Sequence, residues 1–146
     1  MKAHVVISVN GQPFDLVYHD VRLNLHNPGR ASLTIKAQAP VRGLVTLDLG
    51  YNDKPSQRHF VGYIERCTSA NPYEQVLFCR ELAAILSYPL PLALRHVDLS
   101  AVVAEVSRLT GLRFRVGQRL QAPRTWLGSE GVNVLKVLCD LLDLVE

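Results

Sequence analysis

Val5-Val6-Ile7-Ser8-Val9-Asn10-Gly11-Gln12-Pro13-Phe14-Asp15-Leu16-Val17-Tyr18-His19-Asp20-Val21-Arg22-Leu23-Asn24-Leu25 sets the terms for the chain. Val5, Ile7 and Val9 alternate with other positions, the period of a strand with one buried face. Asn10-Gly11 follows, a dipeptide that supplies the positive φ angles of a type I′ turn and so predicts a hairpin. In the return strand Phe14, Leu16 and Tyr18 alternate, and then Val21, Leu23 and Leu25 alternate on the opposite parity. The slip between Tyr18 and Val21 predicts a bulge or bend, as in a strand that curves round a barrel. Asn27-Pro28-Gly29 ends it.

The same grammar continues to residue 80. Leu33, Ile35 and Ala37 alternate up to Pro40, and Leu44–Leu49 forms another strand after Gly43. The polar loop Asn52-Asp53-Lys54-Pro55-Ser56 separates it from Phe60–Ile64, within which Gly62 marks a tight bend or a close backbone approach. The Asn71-Pro72 turn leads to Gln75–Cys79. Six or seven short strands with frequent turns predict a β-barrel or sandwich over residues 1–88.

After Arg80 the pattern changes. Glu81–Leu86 reads as a short helical turn, and Pro89 and Pro91 form a stiff connector, where the domain boundary is expected. Residues 89–146 then read as the start of a small α/β domain. A helix over 98–110 opens at the N-cap Asp98 and closes at Gly111, which suits the left-handed C′ position. A strand over 112–116 buries Leu112, Phe114 and Val116 on one face. A helix over 130–145 carries the apolar stripe Val134, Leu135, Leu138, Leu141, Leu142 and Val145. That stripe runs to the last residue without a stop signal, as in a chain that continues or a helix that docks on something else.

Composition excludes several classes. Of 146 residues, 48% are hydrophobic, ordinary for a globular protein, and 16 Lys+Arg against 13 Asp+Glu give a net charge of +3, too mild to be a nucleic-acid footprint by itself. The cluster Arg108, Arg113, Arg115, Arg119 and Arg124 reads as a solvated face, the alternative being a phosphate- or partner-contacting patch. Cys67, Cys79 and Cys139 lack metal-site spacing and read as buried thiols of a protein made in a reducing cytoplasm. The N-terminus lacks the features of a signal peptide, and no stretch approaches a membrane span.

No chemistry-bearing motif emerges. GxSxG and both phosphate-cradling glycine loops are absent, and Ser129 is better explained as a helix N-cap than as a nucleophile. The five histidines are scattered, with His4 and His59 expected to face water or a neighbouring strand. Asp48 with Asp53, or Glu65 with Glu74, could work as carboxylate pairs only if folding joined them. The expectation is a protein with no cofactor, no metal and no enzymatic activity. The alternative is a small single-stranded nucleic-acid-binding barrel, in which Tyr51, Tyr63, Tyr73 and Phe78 with Arg58, Arg66 and Arg80 form a stacking face.

Taken in order, Ile7-Ser-Val-Asn10-Gly11, Leu49-Gly50-Tyr51-Asn-Asp53, Arg58-His-Phe60-Val-Gly62-Tyr63-Ile64-Glu65, Arg80-Glu81-Leu82, Asp98-Leu99 and Thr110-Gly111-Leu112 resemble the hub proteins of contractile phage tails. These late control and tail proteins are also similar to the base of the type VI secretion spike. The resemblance implies a split-type N-terminal β-barrel and a structural role in a virion tail baseplate, after synthesis in the bacterial host cytoplasm. It implies two barrels per subunit around an α/β domain, and trimers whose six barrels adapt a six-fold tail tube to a three-fold spike. This sequence departs from that pattern by holding one barrel. Self-association as a trimer in the full-length protein and contacts with tube and spike proteins are the implied partners, with no membrane and no specific nucleic acid. Tyr51, Lys54, Arg58, Arg113 and Arg115 are the candidate subunit-interface residues. The segment 98–117 also resembles the short repeated domains of outer-membrane secretins, a family that requires the signal peptide missing at this N-terminus.

Overall fold

The computed structural model describes residues 2–91, 93–97, 99–114 and 124–127. It divides into two compact units, Met1–Leu82 and Ala83–Glu146. The division falls ahead of the expected 88/89 boundary because the last sheet ladder ends at Glu81 and the chain then turns into a 3-10 helix, Leu82–Ser87.

The first unit is a seven-stranded antiparallel sheet: β1 (Ala3–Val9), β2 (Gln12–Phe14), β3 (Leu16–Arg22), β4 (Arg30–Lys36), β5 (Leu44–Tyr51), β6 (Gln57–Asn71) and β7 (Glu74–Glu81). In space the order is β2-β1-β5-β6-β7-β4-β3. The two outermost strands are therefore consecutive in sequence and separated by Asp15 alone. β2 pairs with β1 through Ile7↔Phe14 and Val9↔Gln12, whereas β3 pairs with β4 from Leu16↔Ile35 to Arg22↔Arg30. One stretch of chain cannot lie at both edges of a flat sheet. The sheet must curl until its edges meet, which makes a barrel split between β1 and β3.

The Asn10-Gly11 turn takes the expected form, with φ of 51° and 81°. The bulge does not fall where the parity slip placed it. Leu16 faces Ile35 and Tyr18 faces Thr34, so Val17 is the extra residue. The strand also stops at Arg22 instead of running to Leu25, because Arg22 meets Arg30, the first residue of its partner, and Leu23–Gly29 must make the connection. Leu25 is 92% exposed there, and Leu23 is also exposed.

Residues of all seven strands fill the interior. Ile7, Val9, Leu33, Ile35, Val45, Leu47, Phe60, Leu77 and Cys79 are buried, with Phe14, Leu16, Val21 and Ile64 packed against them. Cys79 lies deep enough that burial pushes its thiol up to about 12, with Cys67 adding to the effect, so it is an inert core group. Cys67 is half-buried, and Cys139 lies outside the described residues.

Gly62 fulfils the close-approach expectation. A Cβ there would run into the Arg80 carbonyl oxygen and lie 2.7 Å from Phe60 Cε1. Phe60 is the largest fully buried side chain among the described residues, so the glycine is the gap into which its ring fits.

In the second unit, helix α1 (Leu99–Thr110) buries Val102 and Val106 and ends at Gly111, φ 76°, whose amide donates to the Ser107 carbonyl at 2.8 Å. Gly111–Phe114 then follow irregular backbone rather than the first part of the strand expected over 112–116. The rest of that segment, the Asp98 cap and the 130–145 helix lie outside the described residues. Two strands not foreseen, β8 (Ala93–Val97) and β9 (Arg124–Leu127), pair antiparallel.

Gly62→Ala is expected to lower barrel stability by about 1–3 kcal/mol, the usual cost of overpacking, read as a reduced urea midpoint at unchanged slope.

Candidate assembly surface

A closed core leaves chemistry to the loops and the outer face. Tyr51, Lys54 and Arg58, three of the five candidate interface residues, come together at the β5–β6 connection. Tyr51 is 49% exposed and Lys54 lies in the loop, which is exposed from residue 51 to residue 59. Asn52 turns it with φ 53° and ties it to the N-terminus: its amide donates to the Lys2 carbonyl at 2.7 Å, and its Oδ1 accepts from Lys2 N at 2.9 Å. His4 Nε2 lies 3.1 Å from Ser56 Oγ, and the ring packs over Gly50.

Arg58 is engaged within the barrel. A bulge between Leu47 and Asp48 shifts the register so that Asp48 faces Arg58 directly. Arg58 Nε then donates to Asp48 Oδ1 at 2.7 Å and Nη2 to Oδ2 at 3.3 Å, a two-pronged pair. The hydrogen bond from Arg58 holds the Asp48 carboxyl below the ordinary carboxylate range. Arg113 is exposed in the second unit, and Arg115 lies outside the described residues.

At the other end of β1 and β5, Asn10 fastens the β4–β5 connection. Its amide donates to the Leu44 carbonyl at 2.8 Å, its Nδ2 to the Arg42 carbonyl at 2.8 Å, and its Oδ1 accepts from Leu44 N at 2.9 Å. Gly43, φ 119°, leaves the space that this side chain occupies. An open groove of about 780 Å³ is lined by Phe14, Ala37, Pro40, Val41 and Tyr73 together with the charged Lys36 and Glu74. Such shallow, mixed lining suits contact with another surface more than enclosure of a small molecule.

Three of the four carboxylates considered for acid–base work are otherwise engaged. Asp48 holds Arg58, Glu65 lies 3.9 Å from Arg80, and Glu74 accepts from Asn71 Nδ2 at 2.9 Å. Among the described residues no three His, Cys, Asp or Glu side chains gather as a metal site requires. The stacking face exists in part, since Tyr63, Arg66, Phe78 and Arg80 share the outer face of β6 and β7. There the Phe78 ring is covered by the Arg66 guanidinium at 4.2 Å. Tyr51 and Arg58 stand at the β5–β6 end and Tyr73 at the β6–β7 turn, too scattered for one platform.

The 43 kDa tail protein of prophage MuSo2 from Shewanella oneidensis superposes on 98% of this chain with a TM-score of 0.69 and 15% identity. The chain has the fold of prophage tail proteins. A tail protein from Neisseria meningitidis MC58 superposes on 99% of it, with a TM-score of 0.58 and 15% identity. In sequence, an uncharacterized 58.7 kDa protein of Haemophilus phage HP1 is 28% identical over 119 residues, 81% of this chain. The chain spans 48% and 46% of the two solved proteins and 22% of the HP1 protein. No family model matches.

Two substitutions test the loop anchors. Asn10→Gly keeps the turn and loses the side-chain latch, whereas Asn10→Ala loses the latch and strains the left-handed backbone. Asn10→Ala is expected to be the less stable by about 1 kcal/mol in thermal unfolding. Asp48→Asn removes a contribution held above the ordinary carboxylate range and lost as pH falls through the lowered pKa. Wild type should therefore exceed the variant in unfolding midpoint at pH 7, and the gap should close below about pH 4.

Proposed function

We propose that this chain is the barrel-bearing part of a structural, non-catalytic protein of a phage or prophage tail baseplate hub, joining the tail tube to the central spike as a ring-forming symmetry adaptor. The observation that carries the reading is the superposition of nearly the whole chain on about half of a prophage tail protein. The same likeness supports a location in the virion tail, and synthesis in the host cytoplasm belongs to this reading.

A closed barrel suits this work for a physical reason. Its ladders are satisfied internally except along one split, so it offers neighbours side chains and loops, not long unpaired edges that would polymerise. The Tyr51–Arg58 loop, pinned to the N-terminus by Asn52, is a rigid exposed projection at one end of the sheet. On this reading it is a surface through which subunits would meet in the trimer, and tube and spike proteins would meet the assembled ring; Arg113 and Arg115 are separate candidates for such contacts.

The protein expressed from its complete reading frame should run as a trimer in native mass spectrometry, and combining Tyr51→Ala with Lys54→Glu should shift it towards monomer. A monomeric wild type, or a trimer indifferent to both substitutions, would count against the hub role.

A further inference from the structure

The outer face of the barrel carries three arginines in one ladder row. β4 pairs with β7 through Arg30↔Arg80 and with β3 through Arg22↔Arg30. Ala31, Leu33 and Ile35 point inward, as do Leu77 and Cys79, so Arg30 and Arg80 point outward, and the register puts Arg22 on the same side. Side chains directly opposite in antiparallel pairs have Cβ atoms about 4.5–5.5 Å apart, and like charges placed so destabilise the pair. In the next row Arg66 faces Phe78 and lies over its ring.

Internal compensation is incomplete. Arg22 is held by Asp20 at 3.0 Å and Arg80 stands 3.9 Å from Glu65, but Arg30, between them, has no ion pair among the described residues. Residues 1–82 carry nine Lys+Arg and seven Asp+Glu. Setting aside these four arginines with Asp20 and Glu65, five of each sign remain. The excess positive charge of the barrel therefore belongs to this one face.

We infer that the face of β3, β4, β7 and β6 bearing Arg22, Arg30, Arg80 and Arg66 is a docking surface for an acidic protein segment, whose carboxylates enter the arginine row. The guanidinium fork matches a carboxylate in a two-pronged geometry, and the row contains no lysine. Three adjacent strands span about 10 Å, the reach of two or three carboxylates. A nucleic-acid strand fits less well. It needs an extended basic track and open aromatic faces, whereas the rest of the barrel is neutral, Phe78 is covered, and Asp20 and Glu65 flank the row. The inference stands whether or not the chain works in a tail.

Arg30→Glu separates binding from folding, because it sets a carboxylate between two guanidiniums. The variant should melt at or above the wild-type temperature while losing affinity for an acidic partner. Fluorescence anisotropy with a labelled decaglutamate peptide at about 50 mM salt should show binding that weakens as salt is raised. Arg30→Glu, and the milder Arg30→Gln with Arg80→Gln, should each reduce it at least about tenfold, equivalent to about 1.4 kcal/mol. A control with Lys2→Gln and Arg42→Gln should stay within about twofold, although it changes net charge as much as either of these. Absence of peptide binding, equal loss in the control, a fall in melting temperature on Arg30→Glu, or tighter binding of single-stranded DNA of the same charge would each overturn the proposal.

Discussion

Everything in the first unit depends on the double duty of Gln12–Arg22. Its first three residues hydrogen-bond to β1 and its last seven to β4, with Asp15 as the hinge, and Asp15 still accepts from the Lys36 amide at 2.9 Å. Because the same chain ends both sides of the sheet, the remaining strands must arc round to meet it, and their alternate residues converge on one interior. The bulge at Val17 lets this happen without turning β3 inside out. It restores the parity that the bend would otherwise invert, so Leu16 and Val21 both reach the core.

The barrel settles its irregular backbone with side-chain amides. Asn10 and Asn52 both take positive φ, and each hydrogen-bonds a chain segment distant in sequence, the first at the β4–β5 connection and the second at the N-terminus. Asn71 does similar local work by accepting from the Tyr73 amide at 2.9 Å. The connections are thus held from opposite ends of the sheet, leaving the outer face to carry the charge pattern. There an ion pair such as Asp48–Arg58 is complete in itself, whereas the arginine row is not.

Much of this was legible in the sequence, for reasons that differ by element. Alternation located β1, β4, β5 and β7 because each has one wet face, and Asn10-Gly11 located its turn because few residue pairs accept two positive φ angles. Gly62 could be read as a close approach, although its partner, the Arg80 carbonyl, could not. The limits of β3 were hidden because Leu23 and Leu25 continue an apolar alternation that only the register of β4 interrupts. β8 and β9 were illegible for another reason: Ala93–Val97 lacks alternation, and its partner begins at Arg124, so neither strand has a local signal. The arginine row escaped notice because Arg22, Arg30 and Arg80 lie far apart in sequence and become neighbours only through strand order. Of the interface candidates, the Tyr51–Arg58 loop was found by its turn chemistry, while the pairing of Arg58 with Asp48 depends on a bulge that the sequence does not announce.

Closure through Gln12–Arg22 also has a bearing on synthesis. β1 pairs with β5, about forty residues further on, and β4 with β7, at a similar separation. The β1–β2 hairpin therefore cannot complete its ladders until Tyr51 has been made, and β4 must wait longer, for Glu81; throughout that interval the apolar strands have few native partners. A chain built this way exposes its first-made strands to mispairing for longest. The tight Asn10-Gly11 turn, which lets the two segments find one register at once, acts as a guard during that wait.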